Sequence, residues 1–367
     1  MVIKETIVAG CAIFAMFFGA GNIVFPIILG QEFSTNWYSS IFGFCLTGVI
    51  VPLMGLISVV LLDADSNKFF SPLGKKLAFL LQLVIMLIEG PFGIVPRALT
   101  IGFGGINAIT DKCPNWVFFL ISCILLFFLT KSKSKIVPII GKVLTPLKLS
   151  LLLILVIFGV YESYTFQGFG LTFSYHAFKD GIVAGYQTYD LPGAVYFASI
   201  VVGYFYTQHK NSLSKKELIK KGIFASCLSA FLLTIMYFAF SYISAHYSSE
   251  LAGMPKEDML PAVVGLALGD FSKYLFGGIM VVACLTTAVA ALTVWSKFID
   301  EQLEKYSISH QTIIIVSILI TFVVSNIGFD GIVKNMEPVL IVLYPVLILL
   351  TIFNIYSSIK GMRKNGN

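Results

Sequence analysis

Two interruptions and one threonine pair hold most of the groups in this sequence that could bind a charged ligand. The first interruption, Phe14-Ala15-Met16-Phe17-Phe18-Gly19-Ala20-Gly21-Asn22 with Pro26 close behind, lies inside an apolar run from Ile7 to Leu29. The second is Asp190-Leu191-Pro192-Gly193-Ala194, preceded by Tyr186, Gln187, Thr188 and Tyr189. Where a helix restarts after a break, its free amides and positive dipole end accept a carboxylate with no arginine beside it, and glycine allows close approach. Gly19, Ala20, Gly21 and Asn22 supply such amides. Gln187, Thr188 and Asp190 offer carbonyls, a hydroxyl and a carboxylate, which suit an ammonium group, so the seven residues together would grip a zwitterion. The pair Thr286-Thr287 sits in Ala283-Cys284-Leu285-Thr286-Thr287-Ala288. If it faces carbonyls released at Ala15 and Phe18, its hydroxyls and the Ala283 carbonyl complete a cage of neutral hard oxygens, suited to sodium and not to a transition metal. Plainer readings stand beside these: Gly19 and Gly21 as close helix packing, and each threonine bonded to the carbonyl four residues back.

The elements that carry these groups must cross a bilayer. The chain of 367 residues is 57% hydrophobic and 12% charged, with mean hydropathy +0.90 and 33 Phe, more apolar surface than a soluble fold could hide. Windows of roughly 20 apolar residues, the length that crosses the hydrocarbon, fit ten times, starting near Ile7, Ser39, Gly74, Asn115, Ile136, Tyr186, Leu218, Tyr274, Gln311 and Gly331. The third is over-long and should bend at Pro91 and Pro96. The interruptions fall in the first and sixth spans, so equivalent spans of the two halves run in opposite directions. That is the signature of the inverted repeats of secondary transporters, whose sites lie at paired broken helices. The expected fold is an all-α polytopic membrane protein of ten transmembrane helices in a five-plus-five inverted repeat, with helices one and six discontinuous. Residues 1–162 form the first repeat, 163–185 an extracellular connection, 186–357 the second repeat and 358–367 a cytoplasmic tail.

Charge placement gives an orientation. With the amino terminus inside, Lys68, Lys75, Lys76, Lys215, Lys216 and most other basic residues face the cytoplasm, and few, such as Lys112, Lys179 and Lys256, face outward, in line with the positive-inside rule and two cytoplasmic termini. The net charge of +6 follows from that topology. The lysines are dispersed over short loops without interleaved aromatics, which excludes nucleic acid as partner. The first apolar run is too long for a signal-peptide core and is read as a retained span. Five of the six cysteines lie within spans, so no disulfide framework is implied. His176, His209, His246 and His310 are scattered without metal-ligand spacing. No zinc-protease motif, paired aspartates or serine–histidine arrangement marks an enzyme, and an ion channel would not need an amino-acid grip. Glu89, Arg97 and Glu337 lie in apolar surroundings where each must pair, snorkel or face water, or else serves as a gate or proton site. Asp190, at a break, is the leading proton-coupling group.

FFGAGNIVFPIILG, IEGPFGIVPR, IIGKVLTPL, GYQTYD, ACLTTA and SNIGFDGIVKNMEPVLIVLYPVLIL together resemble, in that order and over nearly the whole chain, the branched-chain amino acid:cation symporter family. That family is similar in fold to the bacterial leucine transporters. The resemblance implies a multi-pass protein of the bacterial inner membrane that imports leucine, isoleucine, valine and other large neutral amino acids such as methionine. It implies sodium or proton coupling, no cofactor, and contact with membrane lipid. Carried over position by position, it implies a second sodium site at the carbonyls of Ala15, Phe18 and Ala283 with the hydroxyls of Thr286 and Thr287, the carboxylate on Gly19, Ala20, Gly21 and Asn22, and the amine on Gln187, Thr188 and Asp190. A first sodium site would use Phe17, Asn22 and Thr188. An exchanger or a proton-coupled symporter fits the same pattern. The chain departs from it where the family commonly resembles GYLTMDALAAL, since Tyr189, Pro192 and Gly193 intervene, and where the family has a serine and a glutamate in place of Gly102 and Gly104. The family pattern also continues for two further spans beyond the position of Asn367, so the oligomeric state is left open.

Overall fold

A computed structural model describes residues 2–110, 112–131, 145–163, 173–208 and 214–365. The described residues are helical nearly throughout. The helices are α1 Val2–Phe17, α2 Ala20–Phe33, α3 Trp37–Cys45, α4 Val51–Leu61, α5 Ser66–Phe70, α6 Gly74–Glu89, α7 Ile94–Asn107, α8 Asn115–Lys131 and α9 Thr145–Glu162, then α10 Tyr175–Tyr186, α11 Asp190–Gln208, α12 Lys215–His246, α13 Lys256–Leu268, α14 Asp270–Leu303, α15 His310–Ser325 and α16 Gly328–Asn365. Among the described residues five stretches are long and apolar enough to cross a membrane: Gly21–Leu61, Ser66–Asn107, Lys215–His246, Phe276–Leu303 and Gly328–Gly361. Glu5–Phe14, Asn115–Lys131, Leu152–Glu162 and His310–Ser325 are shorter apolar helices. Phe231, Leu319, Val323, Val342 and Leu349 stay exposed on the outer faces of α12, α15 and α16, where lipid rather than water is their natural neighbour. The chain is a multi-pass membrane protein.

The helix breaks fall where backbone chemistry permits, not at every proline. The first break is at Phe18 and Gly19, and α2 then runs straight through Pro26, packed on α3 and α12. The second lies at Gln187, Thr188 and Tyr189, not at Asp190–Ala194 as the sequence led us to expect. Pro192 belongs to the first turn of α11, where its missing N–H has no helical partner to lose. Pro96 sits likewise in the first turn of α7, and the over-long third span parts instead at Gly90–Gly93, around Pro91. The expected start of the fifth span at Ile136 lies outside the described residues.

Two helices replace expected connections. Residues 175–185, assigned from sequence to a connection, form most of α10. Ser174 caps it by accepting the Ala177 N–H at 3.3 Å. α10 then lies against α3 through glycines: a Cβ on Gly43 would strike the Phe178 carbonyl, and one on Gly181 the Ser40 carbonyl. Thr47 Oγ1 donates to the Ile182 carbonyl at 2.8 Å across the same seam. His176, Lys179 and Asp180 give the segment a loop-like composition, but only its rim is polar. α13 was likewise hidden by Lys256, Glu257, Asp258 and Pro261. Gly104 lets it approach α7, since a Cβ there would strike the Glu257 carbonyl, which gives a packing reason for glycine at that position.

At the basic side, Lys215 and Lys68 reach Asp63, between α4 and α5, at 2.7 Å and 3.3 Å, and the Lys215 hydrogen bond holds the Asp63 carboxyl below its usual range. Deeper, Glu5 of α1 and Lys221 of α12 form a buried ion pair at 3.1 Å. Gly181→Ala should lower stability by about 1–3 kcal/mol through overpacking at the α3–α10 seam. The check is a lower apparent midpoint of thermal unfolding in detergent, beside an unchanged midpoint for Gly278→Ala, where an added Cβ meets nothing within 4 Å.

Candidate functional site

The first break is a change of hydrogen-bond register. The Gly19 N–H donates to the Phe17 carbonyl at 2.7 Å and the Asn22 N–H to the Gly19 carbonyl at 3.2 Å, so the α-helical ladder lapses for one turn. Aromatic rings back it from one side: Phe18 stacks on Phe14 at 5.0 Å and on Tyr237 at 5.8 Å. At the second break Tyr189 takes φ +64°, a conformation that costs a non-glycine residue about 1–3 kcal/mol. Its N–H donates to the Tyr186 carbonyl at 3.3 Å, and its own carbonyl accepts from the Gly193 N–H at 3.2 Å.

The fold brings the two breaks together. Asn22 Nδ2 donates to Asp190 Oδ2 at 2.5 Å and to the Tyr237 hydroxyl at 3.2 Å, tying α2, α11 and α12 at a point where Asn22 is 3% and Asp190 6% exposed. Thr188 Oγ1 donates to the Gly185 carbonyl at 2.9 Å and receives the Asp190 N–H at 3.4 Å. Gln187 turns away from this group, its Nε2 donating to Glu337 Oε2 on α16 at 3.5 Å. Gly19, Gly21, Asn22, Thr188 and Asp190 thus surround one junction. The Ala20 side chain lies outside the described set.

The cation cage is assembled less fully. α14 does face the first break, because a Cβ on Gly19 would lie 3.8 Å from Thr287 Cγ2. The Thr287 hydroxyl, however, donates to the Ala283 carbonyl at 3.1 Å, the back-bond open to any threonine in such a helix. Two of the expected ligands are therefore bonded to each other. The side chains of Ala15 and Thr286 lie outside the described set.

Arg97 is the residue whose place the sequence leaves open, between an interface, a pairing within the bundle and a gate or proton site. It is 3% exposed, at the junction itself. Its Nη1 donates to the Gln187 carbonyl and its Nη2 to the Thr188 carbonyl at 3.4 Å. The guanidinium lies 4.3 Å from the Tyr189 ring centroid and 5.5 Å from that of Phe25. Its rarity was the available signal, since the chain has only one other arginine, Arg363. Glu89, the last residue of α6, is also buried, and its Oε1 has no hydrogen-bond partner among the described residues.

A family model described as branched-chain amino acid transport protein matches residues 2–365. The branched-chain amino acid permease BrnQ of Bacillus subtilis is 32% identical over 364 residues, spanning 97% of this chain and 82% of that protein. The permease BraB of the same organism is 28% identical over 371 residues, spanning 99% and 82%. Among solved structures, the nucleobase-cation-symport-1 family transporter MHP1, closed with bromovinylhydantoin bound, aligns with TM-score 0.65 over 94% of this chain and 77% of that one at 12% identity, a likeness of fold alone.

The Asn22–Asp190 bond should be measurable as an energetic coupling. Asn22→Ala leaves a buried carboxylate oxygen without its donor, at a cost of about 1–3 kcal/mol or more. In a double-mutant cycle with Asp190→Ala the two losses should overlap by about 1 kcal/mol or more. Additive shifts in unfolding midpoint would show that the bond carries nothing.

Proposed function

The chain belongs to the branched-chain amino acid transport protein family, and from that premise we propose that it is a cation-coupled symporter importing branched-chain and other large neutral amino acids. The family is one of transporters and not of enzymes. The observation that carries the reading is the meeting of two helix breaks at Asn22 and Asp190, inside an apolar protein where breaks persist only if they are satisfied or line a site. The first-turn amides of α2 at Ala20 and Gly21, with Gly19 and Asn22 beside them, hold the substrate carboxylate. Asp190 and the carbonyls at the second break hold the ammonium. Sodium binds at the carbonyls of Ala15, Phe18 and Ala283 with Thr286 and Thr287, after Thr287 gives up its bond within α14. Leucine, isoleucine, valine and methionine should compete, because an apolar pocket separates one methylene by only about 1–3 kcal/mol.

The helices group into ten spans under this reading: α1–α2, α3–α4, α6–α7, α8 and α9 in the first repeat, and α10–α11, α12, α14, α15 and α16 in the second. The halves lie within residues 1–162 and, with α10 included, from Tyr175 to about residue 357. Residues 358–367 form a cytoplasmic tail. Both termini face the cytoplasm of a bacterial cell, and ion and amino acid enter from outside and leave inside by alternating access. One sodium ion crossing about 100 mV gains roughly 2.3 kcal/mol. A tenfold gradient adds roughly 1.4 kcal/mol, enough together for accumulation of several hundredfold. Proton coupling is favoured by one observation, the buried Glu89, whose Oε1 has no hydrogen-bond partner among the described residues.

Radiolabelled leucine uptake into proteoliposomes, under separately imposed sodium and proton gradients, decides between these. Sodium should drive uptake, and Thr286→Ala with Thr287→Ala should abolish that drive. Uptake that follows the proton gradient, ignores sodium and is lost in Glu89→Gln would replace the sodium reading with the proton one. On the cytoplasmic side, Lys221→Met unties α1 from α12. Thiol labelling of a cysteine introduced at Thr6 should then rise several-fold, because removing one partner of a buried pair costs about 3–5 kcal/mol.

A further inference from the structure

Arg97 carries a full charge at the junction of the breaks, yet the groups it contacts there are neutral. Among the described residues it pairs with no carboxylate within 4.0 Å. Asp190 and Glu89 lie only within longer electrostatic reach, and Asp190 already accepts from Asn22. The guanidinium instead takes the Gln187 and Thr188 carbonyls. Those close α10, where the helix dipole is negative and carbonyls lack donors four residues on. A guanidinium has five N–H donors, and the contacts described employ two groups of them. The Tyr189 and Phe25 rings hold its plane.

The remaining edge meets the first break. A Cβ on Gly21 would lie 2.6 Å from Nη2 and 3.0 Å from Cζ, so only glycine lets the cation rest against the backbone of α2. Gly21 also lies in the first turn of α2, where amides point outward and favour an anion. Two features that attract negative charge therefore converge at Gly21, while the Asp190 carboxylate of the same junction is bonded to Asn22.

We infer that the Arg97 guanidinium is a built-in cation at Gly21 that pairs with the carboxylate of the transported amino acid. The inference rests on the reading of the chain as an amino acid transporter. An arginine fork meets a carboxylate through two parallel bonds, which gives the site a means of telling an α-carboxylate from an amide.

The test compares leucine with leucinamide, which keeps the side chain and ammonium but lacks the carboxylate, as competitors of labelled leucine in proteoliposomes. The wild-type protein should prefer leucine by about 30-fold or more, the size expected when a buried charge pair is lost. Arg97→Gln should bring that ratio close to one while leucinamide affinity holds, and Arg97→Lys should restore part of it. Gly21→Ala, which displaces the guanidinium without removing it, should also lower the ratio and serves if Arg97→Gln does not fold. A folded Arg97→Gln or Gly21→Ala protein that keeps the wild-type ratio would overturn the inference while leaving the transporter reading intact. A wild-type protein that takes up no neutral amino acid would overturn both.

Discussion

A helix that stops inside an apolar layer leaves amides and carbonyls that hydrocarbon cannot satisfy, at several kcal/mol for each group. Everything notable about this molecule follows from how two such stops are met. At Phe18–Gly19 the chain satisfies itself, by turning the Gly19 and Asn22 amides onto carbonyls two and three residues back. At Gln187–Tyr189 it does so only for the amides and the Tyr189 carbonyl, and a cation from another helix covers the Gln187 and Thr188 carbonyls. The bend at Gly90–Gly93 precedes the helix that carries this cation. Three breaks in three spans are therefore one arrangement, each of no use without the others.

Glycine does two different jobs in building it. At Gly43, Gly181, Gly104 and Gly30 a side chain would collide with a backbone carbonyl of the neighbouring helix, so the helices touch main chain to main chain. Without a hydrophobic drive between helices in lipid, such close van der Waals contact is what holds them. At Gly21 the absent side chain makes room for a guanidinium. The first use fixes helices, and the second admits a charge to the backbone.

Much of this was legible in the sequence and some could not have been. Ten apolar windows, the Gly-Ala-Gly-Asn interruption and the polar run before Asp190 are visible in composition alone, because hydropathy and breaking residues act locally. The second break was read three residues late. Pro192 announces a break, yet in a first turn it is harmless, whereas the positive φ of Tyr189 leaves no mark in the sequence. α10 escaped because its glycine face pairs with α3, and hydropathy counts a glycine as nothing. The threonine cage could be proposed but not assembled, since whether Thr287 faces an ion or its own helix depends on a single rotamer. Arg97 was conspicuous as one of two arginines, but its position depends on the bend before α7, a tertiary fact.

The pattern of contacts also bears on how such a site opens. Backbone seams join α3 to α10 at Gly43 and Gly181, and α2 to α12 at Gly30; a separate seam joins α7 to α14 at Gly105 and Gly277. Helices in such seams cannot slide without collision, so each set moves as a body or not at all. Both broken spans belong to the first set and Arg97 to the second. The ties at the breaks between the sets are made by side chains: Arg97 on the carbonyls and on Gly21, and the Thr287 methyl toward Gly19. Side chains can follow a moving partner by rotation where backbone seams cannot. A ligand that met both the Arg97 guanidinium and the broken spans would touch both bodies at once and so bear on their relative position, which is the differential contact that any ligand-driven change of state requires.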